Sequence, residues 1–203
     1  MTDYFDKLHS SGDPVVDVER FYRAVDRLDT LAHVTRVAAE ARILAAQHGT
    51  DLQTANLAAW AHDLAAVVPA AEMIAVAEDM GLPVGDPDRA IPLLLHGPIA
   101  AAALLEKLGV RDQDLLNAVR YHSTLRAGAT ILEKIIFLAD KIAYDPTSPH
   151  GGQYLPALRA APTLDDAALV YLDFLLDNGW RYGWFLHPDA VAAYRDLVGR
   201  TAS

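Results

Sequence analysis

The chain has 203 residues, 52% of them apolar and 22% charged, a globular composition with room for one sizeable core but not for two full domains. It contains no cysteine, so disulfides and thiolate metal sites are excluded, and any bound metal must rest on histidine and carboxylate. Its formal net charge of −10, from 27 acidic and 17 basic residues, disfavours nucleic acid and membrane surfaces as partners and repels a polyphosphate unless the site is locally positive.

The opening MTDYFDKLHSSGD has neither a basic leader nor an apolar core, so no signal peptide is expected and the expected location is cytoplasmic. Asp13-Pro14 reads as an N-cap and first-turn proline opening a helix that runs to about Leu28. Asp29 or Thr30 opens the next, LAHVTRVAAEARILAAQH, closed by Gly49. A third is expected from about Leu52 to Val68, stopped by Pro69, and a fourth, AAEMIAVAEDM, ends at Gly81. LPVGDPDRAIP, rich in Pro, Gly and Asp, reads as a loop. Gly97-Pro98 starts a helix ending near Gly109, Asp112 caps DLLNAVRYHS, and Thr130 opens ILEKIIFLADKIA. DPTSPHGGQ reads as a second loop, before helices near residues 164–177 and 188–198. No alternating strand pattern is found, so the expected fold is all-α, a single helical bundle.

Within that bundle some polar residues stand where water is scarce. His62 and Asp63 sit at the centre of AAWAHDLAAVV, and Asp140 sits in IIFLADKIA. A buried carboxylate costs several kcal/mol, by order of magnitude, unless it is paired, hydrogen-bonded or metal-bound. Of the eight histidines, His9, His48, His150 and His187 have ordinary places in a tail, at a helix end, in a Gly-rich loop and before a proline. His33, His62, His96 and His122 fall in apolar or amphipathic segments that must share one core. Four imidazoles and two carboxylates exceed the needs of one four-coordinate ion, so they point to a two-metal centre. The ligand types suit iron, manganese, cobalt or zinc.

The order His33, His62-Asp63, His96, His122, Asp140 resembles the HD-domain superfamily of metal-dependent phosphohydrolases, with the extra histidines of its binuclear members. LLLHGPIAAAAL, YHSTLRAGATILEKIIFLADKI and LHPDAVAAYRDLV are similar to the YqeK-type subfamily of bacterial symmetrical diadenosine tetraphosphate hydrolases. The likeness spans residues 25–198 and is most specific at 121–142, which leaves 1–24 as an added N-terminal extension, partly helical. The chain departs from the subfamily pattern at Ala66, where a lysine is usual, at Leu125, where glycine is usual, and at 143–146, where Glu-Pro and an arginine are usual.

The resemblance implies metal-assisted hydrolysis of a phosphoanhydride, with diadenosine tetraphosphate cut into two ADP. It implies two divalent transition-metal ions, iron first among the candidates, about 3.5–4 Å apart. Asp63 is the expected bridge, with His33, His62 and Asp140 on one ion and His96 and His122 on the other. Lys141 is expected to neutralise a phosphate oxygen as the leaving group departs. Arg36, Thr124 and Arg126 are the expected substrate contacts. Two alternatives remain at this point: the same chemistry on a nucleoside phosphate, cyclic dinucleotide or alarmone, and a metal-bound nucleotide sensor with little turnover. The aromatic run WRYGWF, 180–185, reads as core or as a homodimer contact around Trp180 and Trp184 rather than as an adenine stack.

Overall fold

The computed structural model describes residues 3–143, 153–182 and 186–201. Trp184, the side chain of Trp180, His150 and residues 144–146 lie outside the described residues, and with them the expected dimer contact. Among the described residues there is no strand, in keeping with the all-α expectation. No single helix there is long and apolar enough to cross a membrane.

Helix α1, Pro14–Ala24, starts as expected, with the Asp13 carboxylate accepting from the Val15 and Val16 amides. It ends four residues before Leu28, because Asp26 turns left-handed at φ 55°. Helix α2, Leu28–His48, follows and is closed by Gly49 at φ 67°, a conformation that suits glycine. Helix α3 covers Leu52–Ala61 only. The sequence reading runs it to Val68, but the chain leaves α-geometry at Asp63 (φ −99°, ψ 17°) and continues as a 3-10 turn, Leu64–Val67. The apolar run conceals this break, since both conformations bury the same residues.

Met73–Asp79 forms α4. The expected loop at 82–92 contains a short helix, α5, Asp86–Ala90, whose Asp88 carboxylate accepts from the Gly85 amide. A 3-10 turn, Pro92–Leu95, then runs directly into α6, His96–Leu108. Helix α7 spans Gln113–Arg120 from its Asp112 cap, and α8 spans Ile131–Ala143. A helix that the sequence reading did not foresee, α9, Leu155–Ala160, precedes α10, Leu164–Tyr182, and α11, Pro188–Thr201.

Helix α8 is the central element, packed on α2, α3, α7, α9 and α10. Leu132, Ile135, Ile136, Phe137 and Leu138 on it are buried, each stabilising by about 1.5–3 kcal/mol. Alanines line the contact of α2 with α3: Ala38, Ala41 and Ala45 on one helix, Ala55, Ala58 and Ala59 on the other. Small side chains let these backbones approach closely, which draws His33 and the end of α3 together. Phe5, Leu8, Val18, Phe21 and Tyr22, all before residue 25, belong to the same core.

Candidate metal centre

Four segments converge beside α8, and each delivers its donors at a helix end or on a helix face. His33 lies on α2 facing α8, where its Nε2 is 3.0 Å from Asp140 Oδ1. His62 caps the C-terminal end of α3 and is fully buried. His96 is the first residue of α6, and His122 stands two residues beyond α7. The last three share one local device. Their Nδ1–H groups donate to the carbonyl three residues back: Ala59 at 2.7 Å, Leu93 at 2.6 Å and Val119 at 2.7 Å. That bond fixes the ring and leaves Nε2 as the inward donor, the arrangement metal-binding imidazoles use.

Asp63 stands in the middle. Its Oδ2 is 3.5 Å from His62 Nε2 and 3.7 Å from His33 Nε2. Its Oδ1 is 3.4 Å from His96 Nε2 and 3.7 Å from His122 Nε2. The break in α3 explains how: a residue kept on the helix would point about 100° from its neighbour. Asp63 is freed from that constraint and turns both oxygens toward different imidazole pairs. Donor atoms of His33, His62 and Asp63, of His62, His122 and Asp140, and of Asp63, His96 and His122 each lie within 4.8 Å of one another.

Several details of this donor set fit a bound cation. His62 Nε2 is buried without a hydrogen-bond partner. The Nε2 atoms of His96 and His122 face each other at 2.8 Å, although both rings already spend Nδ1–H on backbone carbonyls. Two neutral rings held so would oppose lone pairs, a repulsion that only a proton or an ion between them removes. The charges agree. Burial presses the His62 imidazole down, but the Asp63 and Asp140 carboxylates carry it up to about 9. Burial opposes the charge on Asp63, yet the His62, His96 and His122 rings hold it well below the usual carboxylate range. Asp140 is held down against its burial by Lys141, His33 and His62. His122 moves the other way, pressed far below the ordinary imidazole value by burial, then by His96 and His62. Two ionised carboxylates therefore sit among rings that need positive charge between them.

The remaining expected site residues are distributed more widely. Lys141 is buried beneath the centre, its Nζ donating to Asp140 Oδ2 at 2.9 Å and to the His122 carbonyl at 2.7 Å, over the Phe137 ring. Arg36 is exposed, one turn beyond His33, with Nε 3.4 Å from the Ala143 carbonyl at the end of α8. Thr124 lines a cavity next to the centre together with Ser123, whose Oγ is 3.1 Å from His122 Nε2. Arg126 is not brought to the centre. Its guanidinium closes a two-pronged fork on buried Glu133, at 2.6 and 2.8 Å, and covers the Tyr121 ring. The sequence reading does not single out Glu133. The signal was there, an isolated acid in the apolar face of ILEKIIFL seven residues after an arginine.

The centre lies inside a stretch matched by a known family. The HD domain family model covers residues 30–145, the segment holding all six donors. The chain is 33% identical over 171 residues to a protein of Halalkalibacterium halodurans named bis(5'-nucleosyl)-tetraphosphatase, symmetrical, covering 82% of this chain and 87% of the relative. A Bacillus subtilis protein of the same name is 38% identical over 110 residues, 54% of this chain and 59% of its own. A solved structure from Clostridium acetobutylicum, described as a predicted HD superfamily hydrolase involved in NAD metabolism, superposes with a TM-score of 0.82 at 29% identity, covering 95% of this chain and 99% of that one. With the matched family laid over the converging His–Asp segments and relatives aligned along most of the length, the chain belongs to the HD-domain family of metal-dependent phosphohydrolases.

Proposed function

We propose that the chain hydrolyses diadenosine tetraphosphate symmetrically, to two ADP, at a centre holding two divalent transition-metal ions, iron foremost. The observation that carries the reading is the division of the Asp63 carboxylate, one oxygen toward His33 and His62 and the other toward His96 and His122. That is the disposition of a bridging ligand. In this reading His33, His62 and Asp140 would hold one ion, and His96 and His122 the other. The name shared by the Halalkalibacterium and Bacillus relatives supports the substrate. When bound, the two ions supply a water nucleophile at neutral pH and stabilise charge on the phosphoryl oxygens.

The chain's own residues prepare that chemistry. The three backbone tethers at Ala59, Leu93 and Val119 hold the imidazoles in one tautomer and orientation. The Lys141 ammonium is a positioning group here: it fixes Asp140 and the His122 carbonyl together and offsets part of the carboxylate charge. Arg36, exposed beside His33, is placed to meet an outer phosphate. The Ser123 and Thr124 hydroxyls are the donors on the His96–His122 side, and Arg126 acts through the Tyr121 turn that carries them. Four neutral imidazoles and two carboxylates leave two divalent ions an excess of positive charge, which answers the repulsion that an acidic chain poses to a polyphosphate. Water adds to one of the two inner phosphorus atoms, the central anhydride breaks, and two protons are released for every two fully ionised ADP formed.

Chromatography of the products tests this. The metal-loaded protein should give ADP alone from diadenosine tetraphosphate, and Asp63→Asn should abolish the reaction. A mixture of ATP and AMP, or no cleavage with two ions bound, would refute the assignment.

A further inference from the structure

Beside the His96–His122 half of the centre lies a cavity of about 160 Å³. Its walls come from five segments: Leu82 and Pro83, Asp88 on α5, the 94–98 turn, residues 120–124, and His187 with Asp189 at the start of α11. Ser123 belongs both to this wall and to the centre, since its Oγ lies 3.1 Å from His122 Nε2 and 3.4 Å from His96 Nε2. Ser123 therefore stands between this space and the donors. The chemistry above uses the cavity's Ser123 and Thr124 hydroxyls and leaves the rest of the lining without a role.

The lining says which part of a nucleotide fits. Leu82, Pro83, Leu94 and Pro98 make it apolar on one side. Tyr121 contributes an aromatic wall, and the Arg126 guanidinium, forked onto buried Glu133, lies 5.3 Å from its ring centre. Asp88 and Asp189 also reach the cavity, with His187 between them: its Nε2 is 3.8 Å from Asp88 Oδ1, and its Nδ1 accepts from the Asp189 amide at 3.2 Å. That hydrogen bond puts the ring proton of the neutral imidazole on Nε2. Against the one guanidinium of the lining, Arg120, the two carboxylates leave it net acidic, which disfavours phosphate and welcomes N–H and O–H donors. The chemistry is that of a neutral, flat, donor-bearing group with an anionic tail pointing away, toward the ions.

We propose that this cavity is the seat of one nucleoside end of the dinucleotide, with the base against Tyr121 and its amino or ribose hydroxyl groups on Asp88 and Asp189. Resting on the tetraphosphatase reading, it adds a specificity site formed by residues 82–98 and the start of α11, outside the six donors. The lining joins an apolar and aromatic side to a polar one, and polar groups converging on a concave site fix a ligand's orientation.

The test fills the cavity and removes its platform. Leu94→Trp, at a half-buried position on the wall, and Tyr121→Ala are assayed with diadenosine tetraphosphate and with tripolyphosphate, which has no nucleoside. Metal content and circular dichroism confirm that each variant is folded and loaded. Selectivity for the dinucleotide over tripolyphosphate should fall by about tenfold in each, the order expected for losing one base stack. Unchanged selectivity in two folded, loaded variants would overturn the proposal. Calorimetric titration with adenosine provides a reading independent of turnover: the native protein should bind this phosphate-free probe, and Leu94→Trp should not. If the native protein binds the probe but leaves the tetraphosphate intact, the function assigned above fails while the nucleoside seat stands. If it cleaves the tetraphosphate with a filled cavity as well as without, the seat fails and the function stands.

Discussion

Gly97 sets the spacing of half the centre, and replacing it by alanine is a sharp perturbation. A Cβ there would lie 2.5 Å from the Arg120 carbonyl oxygen and 3.2 Å from both the Arg120 carbon and the Val119 oxygen. All three are backbone atoms, so none can rotate away. Ordinary contact begins near 3.4 Å, so the start of α6 and the end of α7 must part by about 0.9 Å, the difference of the two distances. His96 adjoins Gly97, and Val119 is the carbonyl that orients His122, so the shift falls on the 2.8 Å meeting of the two Nε2 atoms. Overpacking of this kind costs about 1–3 kcal/mol, which for a chain of this size lowers Tm by about 2–12 °C. Disturbing the groups that orient metal ligands costs roughly 10–100-fold in metal affinity or activity. The assay is a metal titration of Gly97→Ala with thermal melts beside it. Gly199→Ala, where a Cβ meets nothing within 4 Å, is the control and should bind metal as the native chain does. Native metal affinity and native Tm in Gly97→Ala would refute the argument that backbone contact between α6 and α7 sets the donor spacing.

Other consequences follow from the same geometry. Leu125 is fully buried at φ 58°, so it combines apolar burial with a strained backbone. Leu125→Ala should cost about 2–5 kcal/mol, and Leu125→Gly should be more stable than the alanine variant by about 1 kcal/mol, reversing the usual order. Denaturant unfolding decides it, and an alanine variant more stable than the glycine one would contradict the strain. Because the His62 imidazole is raised to about 9, the metal-free protein holds a proton where an ion must enter. Apparent metal affinity should therefore climb as pH rises, about tenfold per unit, and level off above about 9. The same raised value gives the metal-free fold a stabilising contribution complete below the ordinary imidazole range and lost as pH rises through about 9. Manganese titrations at pH 6.5, 7.5 and 8.5 that gave a flat or falling affinity would sink this. Lys141→Met removes the ammonium beside Asp140 and should destabilise the metal-free protein by about 3–5 kcal/mol, with much of the loss recovered on metal loading. Thermal melts with equal losses in both states would show that Lys141 does not act through Asp140.

Much of the site was legible from the chain alone, because burial and charge conflict visibly at His62, Asp63 and Asp140. Their apolar flanks demanded partners, and the other imidazoles in apolar or amphipathic segments were at hand in the same core. What was not legible depends on geometry that composition does not encode. The kink that frees Asp63 from α3 lies within an uninterrupted apolar run, so hydrophobic periodicity passes straight over it. The short helix α5 sits in a Pro-, Gly- and Asp-rich stretch that reads as loop, yet Asp88 three residues after Gly85 was a local capping signal. Lys141 and Arg126 read as cations available to phosphate, since nothing in the sequence says that one is buried over Phe137 and the other forked onto Glu133. The nucleoside seat joins residues about a hundred positions apart, and no window along the chain contains it.

The most direct measurement is the metal content of anaerobically purified protein, native and Asp63→Ala. If Asp63 bridges two ions held by His33, His62 and Asp140 on one side and His96 and His122 on the other, the native chain carries about two divalent ions and the variant loses both or nearly so. A native chain holding no metal, or an Asp63→Ala variant still carrying two ions, would contradict the binuclear centre on which the function rests.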